Sequence, residues 1–276
     1  MKVNNKKIIK KIFIHIILLI GLVISILPFI WMVLTSFKTM AESINVPIII
    51  FPKKFSLDNY TDAVSILPFK HFYLNTIITT IFRILGQVFF CSLAGFAFAR
   101  MDFPFKNVLF VLMLSILMIP SQLYLLPHFM IMQKIKLLNT VAALILPGIF
   151  GAFGTFLMRQ FFLNIPKEVE EAALLDGCNH LQIYFHIFLP MSKPALLSLA
   201  VLVGLRSWND LMWPLIVNSS MDKMTLSAGI ASLQGQYFTN YPVLMAGAVL
   251  SSLPVIVLFF LFQNKILKGI SFTKKI

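Results

Sequence analysis

Acidic residues are scarce in this chain, ten among 276, cysteines number two, and no glycine is followed by lysine. Each shortage excludes something. Charged residues make up 12% of the sequence, against about a quarter in soluble globular domains, so a water-soluble fold is not expected. The two cysteines, Cys91 and Cys178, stand far apart with no paired framework, and no structural disulfide is implied. Without a Gly-Lys pair there is no phosphate-binding loop of the G-x-x-x-x-G-K-[ST] type, so any ATP chemistry must belong to another chain. A G-x-S-x-G nucleophile motif is also absent, and an enzyme confined to this chain is not expected.

What is abundant is apolar sequence: 59% of residues, with a mean hydropathy of +0.89. The net charge of +13 could suggest nucleic acid. Yet the basic residues flank apolar runs and form no basic-aromatic stripe, so they read as topology signals. Residues Ile12 to Phe37 contain no Lys, Arg, Asp or Glu. As a helix they would extend roughly 39 Å, more than the ~30 Å hydrocarbon core requires and too long for a cleaved signal, so a first uncleaved span is expected. Further apolar segments lie near 72–99, 107–131, 137–163, 194–217 and 243–264. None alternates like a barrel strand, and lipid cannot satisfy open backbone groups, so helices are the expected crossing form. The reading is an all-α integral membrane protein, one domain over 1–276 with six transmembrane helices. With the N-terminus inside, fourteen Lys and Arg fall on the inner side and seven outside. The positive-inside rule therefore favours cytoplasmic termini and places the loop 164–193 in the cytoplasm.

That loop is unlike the rest. Glu168, Glu170, Glu171 and Asp176, four of the ten acids, fall within nine residues. Pro166 and the following acids suit the start of a helix, where the dipole is positive. Gly177 is placed to end it in a left-handed conformation. Asn179 with Gln182 three residues later predicts a capping box opening a second helix. Leu181, Tyr184, Phe185 and Phe188 would share one face of that helix. Such a helix, turn and helix, with Ala172 and Ala173 leaving room for a neighbour, fits docking into a groove on another protein. It equally fits a helix lying at the membrane interface.

The spacing Glu171-Ala172-Ala173, Gly177, then Ile187, Leu189 and Pro190 resembles the EAA loop of permease subunits of binding-protein-dependent ABC importers. Leu57-Asp58-Asn59-Tyr60, Ala97-Phe98-Ala99-Arg100, Met118-Ile119-Pro120 with Gln122, Leu137-Leu138-Asn139-Thr140, and Ser207-Trp208-Asn209-Asp210 with Trp213-Pro214 are similar to the sugar-importing branch, the maltose-transporter-type second permease. The resemblance implies a type I importer permease whose loop 164–193 is a coupling helix seated in an ATPase subunit. Glu171 would pair there with a basic residue and Gly177 would set the bend. It further implies a second permease subunit, two ATPase subunits carrying ATP and Mg, an external solute-binding protein, and a sugar as cargo, in a bacterial inner membrane. No cofactor is expected on this chain itself. An ion-coupled secondary transporter is the rival; it would be expected to show internal repeats, and none is visible. An ABC permease for a non-sugar solute is a second alternative.

Arg206 and Asp210 fall four apart within the fifth apolar segment, where each is costly and should face protein or water. Two readings stand. One is an ion pair within the helix, shared with Arg83. The other is a wall of the translocation path, with Trp208 or Trp213 stacking on a sugar face and Asn209 and Asp210 bonding hydroxyls. Gly148, Gly151 and Gly154 read as a close helix-packing surface. Cys178, His180 and His186 lack a metal-ligand spacing, and no metal site is expected. His15, His71 and His128, at span ends or within spans, suit an interfacial role.

Overall fold

The computed structural model describes the backbone of residues 5–235 and 239–271, with side chains described between 11 and 260. Lys2, Lys6, Lys7, Lys10, Lys265, Lys268, Lys274 and Lys275, all counted above as inner charges, have side chains outside that description. Every regular element among the described residues is helical. In chain order the α-helices are α1 (Asn5–Ser36), α2 (Met40–Ser43), α3 (Asp58–Ile66), α4 (Phe69–Arg100), α5 (Lys106–Ser115), α6 (Leu125–Lys134) and α7 (Val141–Ile145). They continue with α8 (Ala152–Leu163), α9 (Lys167–Leu175), α10 (His180–Ile183), α11 (Leu189–Met191), α12 (Lys193–Trp208), α13 (Met212–Val217), α14 (Leu226–Ala231) and α15 (Tyr241–Ser271).

The chain divides into two compact units, residues 1–67 with 230–256, and residues 68–229 with 257–276. In the first, α1 carries apolar side chains on every side, all exposed from Ile12 to Phe29. A helix apolar all round is suited to lipid or to a large apolar neighbour. Beyond it the chain folds around Lys38, which is buried, donates to the Ile49 carbonyl at 2.7 Å and lies 4.0 Å over the Trp31 ring. Asn59 donates to the carbonyls of Ser36 and Lys38, holding this turn together. Glu42 caps α2 reciprocally with Thr39 and also accepts the Lys53 N–H at 3.1 Å.

In the second unit α4 is the central rod, packed along α8 and α12. Gly154 makes the approach of α8 possible: a Cβ there would lie 2.9 Å from Cys91 Sγ. The packing reading of Gly148, Gly151 and Gly154 agrees with this, since all three face α4 side chains at Arg83, Gln87 and Cys91.

Among the described residues two helices, Lys11–Ser36 and Phe69–Arg100, are each long and apolar enough to cross a membrane, and three bent pairs qualify only if each pair is one span. The segment expected to cross at 107–131 is not a straight helix. It breaks into Lys106–Met118 and Ser121–Lys134 at an angle of 103°. Pro120 is the physical reason, because it disfavours helical backbone at Ile119, which is extended at φ −91°, ψ 124°. The segment 137–163 bends by 41° between Val141–Gly148 and Ala152–Leu163. Within 194–217, α12 stops at Trp208 and the chain restarts as α13 at Met212.

Candidate functional site

Two features of the second unit join most of the residues singled out above: the loop 164–193 and a cavity lined partly by α4.

The loop is stiff at both of its turns. After α9, Gly177 takes φ +83°, its N–H bonds the Leu174 carbonyl and the Cys178 N–H bonds the Ala173 carbonyl, both at 3.0 Å. This is a Schellman closure, in which the left-handed residue is best filled by glycine. Asn179 and Gln182 then form the expected capping box, at 2.8 and 2.9 Å. Tyr184–Phe188 continues as a π-turn.

Its two faces differ. Ala173, Ile183, Tyr184 and Phe188 are buried in one cluster with Cys91 and Phe96 of α4, Met158 and Phe162 of α8, and Leu199 and Val203 of α12. The Tyr184 hydroxyl is 2.7 Å from Ser92 Oγ, and burial pushes its phenol up, so it stays protonated in the physiological range. The face expected from Leu181, Tyr184, Phe185 and Phe188 is corrected: Leu181 and Phe185 are 60% and 47% exposed. The buried stripe runs through Ile183, Tyr184, Ile187 and Phe188 instead, the π-turn having widened the helix just where the core receives it. Glu171, Ala172, Leu174, Leu175, Gly177 and Pro190 are exposed, while Ile187 and Leu189 are half-buried. One face is thus welded to the core and the other presents Glu171 among unburied apolar side chains.

Arg100, at the last position of α4, holds the loop from beneath. Its Nη2 donates to the Phe162 carbonyl at 2.7 Å and to the Ile165 carbonyl, its Nη1 lies 3.5 Å from Glu170, and its guanidinium sits 5.1 Å from the Phe188 ring. The only hint of it was the Ala97-Phe98-Ala99-Arg100 stretch.

The cavity encloses about 830 Å³ and is lined by Arg83 and Gln87 of α4, Gln122, Tyr124 and His128 around the 103° break, and Arg206, Asp210 and Trp213. The expected Arg206–Asp210 pair within one helix is not formed. Since α12 ends at Trp208, Asp210 leaves the helical register and meets Arg83 at 2.9 Å, while Arg206 lies 5.6 Å from the Phe153 ring. Arg83 Nε also donates to the Leu144 carbonyl at 2.8 Å. Of the four path candidates, Asp210 and Trp213 line the cavity. Trp208 is buried and Asn209 turns its amide back to the Leu205 carbonyl, and neither is among the lining residues. Trp213 has its Nε1 bonded to the Ala143 carbonyl and its ring 5.9 Å from that of His128. Gln87 and Tyr124 carried no signal in the sequence beyond being polar residues within apolar stretches, and His128, read there as suited to an interfacial role, lines this cavity.

Residues 91–271 match the family described as binding-protein-dependent transport system inner membrane component. The chain belongs to that family. As an inner membrane component of a transport system it is a transport subunit, and a self-contained ion-coupled carrier is set aside. It is similar to the arabinooligosaccharides transport system permease protein AraQ of Halalkalibacterium halodurans, 37% identical over 254 residues and 90% of both chains. It is also 30% identical to the diacetylchitobiose uptake system permease protein NgcG of Streptomyces coelicolor, over 93% of this chain and 86% of that one. Among solved structures, a bacterial ABC transporter involved in the import of the acidic polysaccharide alginate superposes with a TM-score of 0.82. It is 22% identical and covers 96% of this chain and 98% of that chain, so this inner membrane component has the same fold.

Proposed function

We propose that this chain is one of two permease subunits of an ATP-driven importer for a sugar, most simply an oligosaccharide, handed over by an external solute-binding protein. Relatives named for arabinooligosaccharide and diacetylchitobiose uptake support the cargo class. In this reading the chain crosses six times with both termini cytoplasmic: Lys106–Met118 with Ser121–Lys134 and Val141–Gly148 with Ala152–Leu163 each count as one span, and the third bent pair contributes only Lys193–Trp208, its first half belonging to the loop. The loop 164–193 docks into one of two ATPase subunits, which hold ATP and Mg, through Glu171, Ala172 and Gly177, with Ala173 packed on the core side, while Ile187, Leu189 and Pro190 return the chain to the membrane.

The observation that carries this reading is the two-faced loop: locked at both turns, buried against α4, α8 and α12 on one side, and showing Glu171, Leu175, Leu181 and Phe185 on the other. A loop meant only to connect would need neither the lock nor the unburied apolar face. Only a stiff, packed element passes on a rigid-body motion, and this one is built to be pushed. The cavity is the cargo path on this subunit, with Asp210 and Trp213 in its wall and an aromatic face beside polar groups, as sugar recognition requires.

The test is to purify the tagged chain from its membrane with its companions, reconstitute the assembly, and measure uptake of labelled neutral oligosaccharides with and without ATP. ATP-dependent uptake with two ATPase subunits and a second permease bound is expected. Uptake by the chain alone, driven by an ion gradient, would overturn the reading.

A further inference from the structure

The coupling reading says where force enters, and the structure carries the inference one step deeper, to the residue through which it leaves the loop. We infer that Arg100 is a positioning residue, a pin that makes α4 move with the loop 164–193 and so transmits the loop's displacement to the cavity wall.

Four observations converge on it. Arg100 lies where α8 ends and α9 begins, and its Nη2 binds two carbonyls there, those of Phe162 and Ile165. A cation at a helix C-terminus answers the negative end of the dipole, so α8 favours this partner. Its Nη1 reaches Glu170 on α9, and its guanidinium lies against Phe188 of the π-turn. One side chain, 4% exposed, therefore touches the end of α8, the first turn of α9 and the returning segment. Its Nε is buried without an acceptor among the described residues. This spare donor can take up a carbonyl that a displaced loop brings within reach, so the same guanidinium can hold the loop in a second position.

The middle of the same helix supplies the output. Arg83 and Gln87 of α4 line the cavity, and at ~1.5 Å per residue they stand roughly 20–26 Å along the rod from Arg100. Ser92, bonded to Tyr184, and Phe96, stacked edge-on against Phe188 at 5.0 Å, fix the loop to the rod along its side. Arg100 joins the rod to all three parts of the loop region.

The experiment uses the whole assembly in proteoliposomes and needs no knowledge of the cargo. Gln87→Cys, in a Cys178→Ser background that keeps the buried Cys91, places a thiol on the cavity wall, and a membrane-impermeant maleimide reports its access with and without ATP and vanadate. With Arg100 present, nucleotide is expected to change the labelling rate about fivefold or more, the low end of ordinary coupling between sites. In Arg100→Gln and Arg100→Lys the change should fall below about twofold on the same scale, with the ATPase subunits still co-purifying and still hydrolysing ATP. Lysine keeps the charge but loses the planar fork that serves several acceptors. Glu170→Gln leaves the carbonyl bonds intact, so its fold is not at risk, and it should give an intermediate response. A full nucleotide response in either Arg100 variant, or an unaltered one in Glu170→Gln, overturns the inference. Absence of any response with Arg100 in place would instead defeat the coupling reading beneath it.

Discussion

Asp210→Asn should destabilise the protein through Arg83 and leave the loop 164–193 untouched. The carboxylate lies 2.9 Å from Arg83 Nη1, with side-chain exposures of 11% for Arg83 and 22% for Asp210. Removing one partner of a fully buried pair costs ~3–5 kcal/mol, because the survivor is left charged and unpaired. Both groups border a cavity of about 830 Å³, and Arg83 keeps its bond to Leu144, so a smaller loss applies here. About 2 kcal/mol is reasonable, which lowers the folded to unfolded ratio roughly thirtyfold. For a chain of this length the apparent melting midpoint should drop by roughly 4–8 °C in detergent. Replacing both residues, Arg83→Met with Asp210→Leu, removes the stranded charge and should recover most of that loss. A midpoint unmoved by Asp210→Asn, or a double variant no more stable than the single one, would refute the argument that this pair is held for structural reasons.

Other expectations follow from the same geometry. Gly148→Ala builds a Cβ 2.5 Å from Arg83 Nε, displacing the guanidinium and costing ~1–2 kcal/mol by overpacking; combined with Asp210→Asn the loss should be less than additive in the same melts. Gly177→Ala meets nothing within 4 Å, so its whole effect is the left-handed backbone at φ +83°, about 1 kcal/mol, seen as a lower midpoint and weaker retention of the ATPase on purification. The Glu42 carboxyl is held below the usual carboxylate range by the N–H groups of Thr39 and Lys53. A depressed value means that its contribution is present above the ordinary carboxylate pKa and disappears as pH falls through the folded one. Protection of the Thr39 and Lys53 amides, corrected for intrinsic exchange, should therefore fall in acid, and Glu42→Gln should lower it at neutral pH.

Local chemistry was readable from residues alone, and long-range chemistry was not. Gly177, Asn179 and Gln182 announced the turn and the cap because those interactions close within six residues. The acids of α9 announced an exposed helix for the same reason. By contrast, Arg83 and Asp210 lie 127 positions apart, and nothing near Asp210 signals that α12 stops two residues before it. The pairing suggested by a four-residue spacing was wrong once the helix ended at Trp208. Pro120 was visible, but a proline inside an apolar run permits anything from a mild kink to the 103° break found. The π-turn at Tyr184–Phe188 follows from the core that receives it, so periodicity could not foretell which apolar residues would stay outside. Arg100 looked like an ordinary flanking charge until its acceptors on α8 and α9 were in place.

The central claim is that the exposed face of the loop 164–193 grips a nucleotide-hydrolysing partner. The most direct measurement is the amount of ATPase subunit retained by the tagged chain when Glu171, exposed and outside the core, is replaced by lysine. The account predicts that Glu171→Lys leaves the melting midpoint of the isolated chain unchanged while retained ATPase and ATP-driven uptake fall together. Full retention and unaltered uptake in that variant would contradict it.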